Sequence, residues 1–373
     1  MAYNSSSERK FRRKDTRMRK RFSFLAIAVF GLLLWADPSF PEENTTGIIN
    51  RSEWENALSD VMGHYPLNIP QTNTDSGKRG ELNPTKNWSF DIGLQRFMVS
   101  YTSYEIGNDD VPLYHPLSRL EFPLNTWWLR FELRRTCPRW SVGLRSGLSV
   151  ARNVDGRMED SDWTNTDDTT QRTIYSQSAM RAEANYLFRG DIDVNISDWL
   201  KLPPSVEIRP LFAFQFQRLN LMAHDGVQWD ANGATAIAGD GIHFRQDYYQ
   251  YLIGLKGSWE ILKPNKYITV RLKGEADWGP AMAYYEDHHL QREGDMFSTA
   301  SGIANSMYYL SGIEMVIAKT VTLGVDADYM WLRTTHARTR DVNVPLHQDV
   351  SWSNGSEIWT DQFSLTAHVS YAF

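Results

Sequence analysis

A single cysteine, Cys137, is present among 373 residues. An intramolecular disulfide is excluded, as is a structural zinc site built on thiolates. Pro138 follows it in a stretch that reads as a turn, a poor setting for a nucleophile. Long apolar runs are also missing. After the first 36 residues no 18-residue apolar stretch occurs, and mean hydropathy is −0.47, which excludes a bundle of membrane helices. Positive charge is scarce where it would matter. The first 36 residues hold nine bases and two acids, so their removal takes the formal charge from −6 to −13. A chain that acidic is no general nucleic-acid binder; its charge suits cationic ligands or simply soluble loops.

The bases of the N-terminal segment, Arg9 to Arg21, precede an apolar run from Phe22 to Ala36. This is the order of a secretory signal peptide, residues 1–36, with cleavage near Ala36. An uncleaved anchor is the alternative, but the run is short for a span and Pro38 follows it. Residues 37–87 read as a polar extension or linker. It contains one short helix pattern: Ser52 and Glu55 form a capping box, Trp54, Leu58 and Val61 share a face, and Gly63 ends it. No activity is assigned to it.

From Trp88 onward the period is two. In the last stretch Phe363, Leu365, Ala367, Val369, Tyr371 and Phe373 alternate with Ser364, Thr366, His368 and Ser370, and the chain stops on an aromatic. Val321 to Trp331 and Ile268 to Trp278 repeat the pattern, with Asp326, Asp328, Arg271, Lys273, Glu275 and Asp277 on the second face. Those charges cannot face lipid, so they line an interior. Aromatics make up 13% of the residues, enough for girdles at two membrane interfaces. With turns near 135–139, 200–205, 263–266 and 318–320, the chain reads as all-β: a ten-stranded antiparallel transmembrane β-barrel over 88–373 with long extracellular loops.

Two short pairs carry the chemistry. Residues i and i+2 of a strand share a face, so Asp160 projects with Asp162, and Asp287 with His289. A carboxylate beside a histidine fixes its tautomer and raises its basicity, and two neighbouring carboxylates orient a water or share a proton. Facing each other, the pairs make a hydrolytic site without a covalent nucleophile. Topology places the first pair in the second outer loop and the second pair at the start of the fourth, both at the outer rim. Parity supports Asp287 and His289 as inward residues, provided Gly279-Pro280 inserts no bulge. Asp160 and Asp162 require a phase change, placed at Gly156. Each pair alone also fits solvated loop acids, and Asp-x-Asp fits a calcium ligand. A metal site of Asp287, His288 and His289 is disfavoured, because adjacent side chains diverge on a strand.

In this arrangement the chain resembles the omptins, ten-stranded outer-membrane endopeptidases of aspartyl type from Gram-negative bacteria. Asp160-Ser161-Asp162-Trp163 is similar to the family's Asp-x-Asp-Trp, and Asp287-His288-His289 to its Asp-Glu-His. Ser118-Arg119-Leu120-Glu121-Phe122 and Tyr251 to Ser258 add support. The resemblance implies that Asp287 and His289 activate a water, which Asp160 and Asp162 polarise from opposite. It implies polypeptide substrates, no metal or other cofactor, a monomer in the outer membrane with its site facing outside, and a need for lipopolysaccharide. The family's acidic residue two before the dyad Asp, which holds a basic side chain of the substrate, is Tyr285 here; Glu105 is the candidate for a second acidic contact. Of the family's lipid-gripping Tyr-x-Glu-x-Arg, Phe214-Gln215-Phe216-Gln217-Arg218 keeps Arg218 as a lipid-phosphate contact. The alternative is a non-enzymatic barrel, structural or adhesive.

Overall fold

The computed structural model describes residues 87–107, 116–165, 168, 170–291, 296–343 and 346–373. The expected signal segment, residues 1–36, and the 37–87 extension lie outside them, apart from Asn87. The described chain is antiparallel β throughout. Its strands are β1 (Trp88–Gly107), β2 (Pro116–Pro123), β3 (Trp127–Thr136), β4 (Trp140–Ser149), β5 (Asn153–Asp162), β6 (Ile174–Ala182), β7 (Tyr186–Val194), β8 (Val206–Asp230), β9 (Gly233–Asn265), β10 (Ile268–His289), β11 (Met296–Ile317), β12 (Val321–Asn343) and β13 (Gln348–Ala372).

Thirteen segments make ten staves. β1 pairs with β3 along its first half and with β2 along its second, so β2 and β3 are one stave interrupted at 124–126. β4 with β5, and β6 with β7, are likewise single staves broken at 150–152 and 183–185. β13 pairs with β1 and closes the ring. The breaks lie at one height. Backbone bonds stitch across them: Phe97 N donates to Thr126 O, Val150 N to Trp127 O, and Ser149 N to Asn185 O. β1 meets the same level with a bulge between Met98 and Tyr101, where Val99 has φ 52°.

Below that level the wall is a membrane belt. Trp88, Phe90, Ile92 and Leu94 point outward from β1, as do Trp140, Val142, Leu144 and Leu148 from β4 and Leu365, Val369 and Tyr371 from β13, with Phe373 exposed just past its end. Their alternate neighbours point inward and fill the lumen with ion pairs. Arg189 bonds Glu275 and Asp277, Arg134 bonds Asp191 and Asp193, and Arg130 and Lys273 both reach Asp326. Each charged group has at least one partner of opposite sign, the condition for burying it. Among the described residues the lumen is filled as a packed core.

Above the belt the strands continue, and both candidate pairs sit on them. This corrects their placement in loops: β5 runs to Asp162 and β10 to His289, because polar residues at these heights still find ladder partners. β10 pairs with β11 in one unbroken register from Ile268 to His289, so Gly279-Pro280 inserts no bulge. The close approach there is the reason for glycine. A Cβ on Gly279 would stand 1.9 Å from the Tyr251 carbonyl oxygen. Gly279→Ala is therefore expected to cost about 1–3 kcal/mol by forcing β9 and β10 apart, read as a lower urea midpoint of the reconstituted barrel.

Candidate active site

The dyad comes from an unbroken strand. Odd residues of β10 face inward, so Tyr285, Asp287 and His289 follow Ala281 and Ala283 up one wall, while His288 turns away and stacks on Phe297 with centroids 3.9 Å apart. Asp287 has no solvent exposure. His289 Nε2 lies 3.5 Å from Asp287 Oδ2, an ion-pair distance at the outer limit of hydrogen bonding. Ser298 sits opposite Asp287 on β11, and its hydroxyl donates to Asp341 Oδ1 at 2.6 Å, bringing an acid of β12 to the same row.

The acidic pair comes from a broken stave. Inward residues of β4 are odd (Ser141, Gly143), whereas Val154, Met158, Asp160 and Asp162 of β5 are buried on even numbers. The phase changes at 150–152, where the chain leaves the ladder. Gly156, with φ 110°, marks a second irregularity, a two-residue shift against β6 that preserves parity. Asp160 then faces Leu120 on β2 and Ser176 on β6, and Asp162 faces Ser118 and Ile174.

Tyr104 joins the two sides. It stands opposite Leu120, which stands opposite Asp160, and its hydroxyl donates to Asp287 Oδ2. Burial raises this phenol well above its usual range, and the charges of Asp287, Tyr285 and Asp160 push it further. One hydroxyl therefore feels a carboxylate from each pair. The floor beneath is aromatic. Tyr104 stacks on Tyr285 at 4.0 Å, and Phe122 on Phe244 at 4.0 Å, with Tyr104 and Phe244 5.7 Å apart.

With this geometry, a match of the sequence to the model of the Omptin family over residues 116–373 decides the family. The chain belongs to the omptins. Among solved structures, this omptin is similar to the outer membrane protease OmpT of Escherichia coli, with a TM-score of 0.69 and 16% identity, over 79% of this chain and all of that one. OprG of Pseudomonas aeruginosa (TM-score 0.34, 9% identity, 77% of this chain and 96% of that one) and the NalP translocator domain of Neisseria meningitidis (0.28, 7%, 87% and 95%) are far more distant barrels. No curated protein sequence matches. Membership of the omptin family places the protein in the outer membrane of a Gram-negative bacterium.

The remaining predicted site residues of this omptin fall elsewhere. Glu105 faces away from the lumen, where Arg119 Nε donates to it at 2.7 Å and the guanidinium lies over Trp163 and Trp359. The bulge at Val99 is the cause. Gln95 and Phe97 are inward on odd numbers below it, Thr102 and Tyr104 on even numbers above it. Tyr285 is fully buried in the aromatic floor, and burial raises its phenol. Arg218 lies on the outer wall in a two-point ion pair with Asp247, both bonds 2.7 Å, beside the rings of Tyr186 and Phe216. Tyr104 and Asp341 are the lumen residues that the sequence reading missed.

Proposed function

We propose that this omptin is an endopeptidase that hydrolyses polypeptides at the cell surface with a water activated by His289 and Asp287 and polarised by Asp160 and Asp162. The observation that supports the reading is Tyr104, whose one hydroxyl bonds Asp287 and lies two strands from Asp160, so both pairs converge on one end of a sealed lumen.

With Nε2 turned towards Asp287, Nδ1 of His289 is the nitrogen that takes the proton from water. Asp287 behind it stabilises the imidazolium that forms, a role suited to a buried carboxylate. The hydroxide adds to the peptide carbonyl. Asp160 and Asp162 hold the water before attack and help relay the proton that His289 took from it to the departing amine as the C–N bond breaks. Arg218 supplies the contact to a lipopolysaccharide phosphate on the outer wall, in competition with Asp247.

The test is digestion of a mixed peptide library by the refolded barrel with lipopolysaccharide, read by mass spectrometry beside His289→Ala. Cuts missing from the control are the expected result, and their rate should fall as acid protonates His289. A verified folded barrel that makes no cuts, with or without lipid, would leave the adhesive or structural reading.

A further inference from the structure

We propose that Tyr104 is a positioning residue of the dyad: its hydroxyl holds Asp287 Oδ2, shares that oxygen with His289, and so sets how basic the imidazole is. The proposal rests on the dyad reading above, since it gives His289 the role of base.

The geometry is specific. Asp287 has two oxygens, and it is Oδ2, the one 3.5 Å from His289 Nε2, that accepts the Tyr104 hydroxyl; among the described residues Oδ1 is buried without a hydrogen bond. Two donors therefore compete for one oxygen. A phenol donating to a carboxylate spreads its charge and leaves less for an imidazolium on the same atom. The phenol cannot swing away. Its ring is clamped against Tyr285, with Phe244 on the same aromatic floor, and only 1% of the residue is exposed.

Among the described residues, the elements on either side of the dyad present these further groups. β10 contributes Asp287 and Tyr285, β12 Asp341, and β5 Asp160 and Asp162; β9 presents Ile242 and Phe244, and β11 presents Met296 and Ser298. Asp341 takes its bond from Ser298. Asp160 lies two strands from Tyr104 across Leu120, and Asp162 lies across Ser118, which faces Ile106. Within the group Tyr104 is the neutral donor to Asp287. It lets a buried carboxylate stay ionised beside a histidine that must be neutral to act, by drawing part of the charge that would otherwise favour the protonated ring.

Tyr104→Phe tests this, because it keeps the stacked ring and deletes the hydroxyl alone. His289 is titrated by NMR on the imidazole carbon-bound proton in the folded, detergent-solubilised full barrel, a readout that needs no substrate. In Tyr104→Phe the His289 midpoint should rise by about one pH unit, as Asp287 turns its full charge to the ring. The acid limb of kcat/KM should move up with it. Tyr101→Phe is the control, since its hydroxyl bonds Asp361 at 3.0 Å on the outer face, and it should leave the titration in place. A midpoint in Tyr104→Phe that stays put or falls overturns the proposal, even if the enzyme cuts peptides. A raised midpoint in a barrel that cuts nothing upholds the positioning and refutes the protease reading.

Discussion

Replacing His289 by alanine is expected to lower peptide-bond hydrolysis by roughly 10³-fold while the barrel keeps its heat-modifiable migration, because a general base in this role contributes on the order of 10²–10⁴. Asp287→Asn should act almost as strongly. The asparagine fills the same buried space and its amide oxygen still accepts from Tyr104, so the fold survives, but the charge that stabilises the imidazolium is gone. Initial rates on a cleaved library peptide, with unheated gel migration as the folding control, decide the matter. Retention of more than a tenth of the activity in either variant would remove the dyad from the mechanism. Loss of the folded band would make the residue structural.

The second large effect lies far below the site. Arg189→Met should destabilise the barrel by about 3–5 kcal/mol, the cost of leaving buried charge uncompensated. The Arg189 side chain is sealed from solvent, bonds Glu275, reaches Asp277 at 2.6 Å and lies over the Tyr308 ring at 4.7 Å. Without it two buried carboxylates share one corner, with Lys256 still 3.9 Å from Glu275. Urea unfolding in liposomes, followed by tryptophan fluorescence, measures the change. Arg340→Met provides the contrast. Its partner Asp349 is exposed, solvent and salt already screen the pair, and no measurable shift is expected. Equal effects from both variants would show that lumen burial adds nothing to these ion pairs.

The barrel was legible wherever lipid imposes alternation. Phe363 to Phe373 and Ile268 to Asp277 carry their inward and outward faces openly, and ten staves follow from such runs. Asp287 and His289 were placed by the same arithmetic, because β10 keeps one register along its length. Counting fails where the register breaks. The bulge at Val99 exchanged Glu105 for Tyr104 on the inner wall, and a backbone angle of 52° at a valine has no signature in the residue itself. The gap at 150–152 likewise set the phase of Asp160 and Asp162, which counting from β4 contradicts. Asp341 was hidden for a similar reason: β12 shifts register near 333–339, so its inward face above that point is not the one that Asp326 and Asp328 announce. Gly156 was visible as an irregularity, but it conserves parity and is not the place where the phase turns.

The row of breaks at 98–101, 124–126, 150–152 and 183–185 works as a coupling between two tubes. The lower one answers to the membrane, and a slip of one residue there would turn charge towards lipid. The upper one answers to whatever enters the cleft. Since β1, the β4/β5 stave and the β6/β7 stave change step between them, an added or lost residue in β4 or β7 can be absorbed at the joint without rotating Tyr104, Asp160 or Asp162 out of the cleft. β10 has no such joint, so the dyad inherits its orientation from the membrane wall itself. One half of the cleft is thus free to drift relative to its anchor, and the other half is held in step with it.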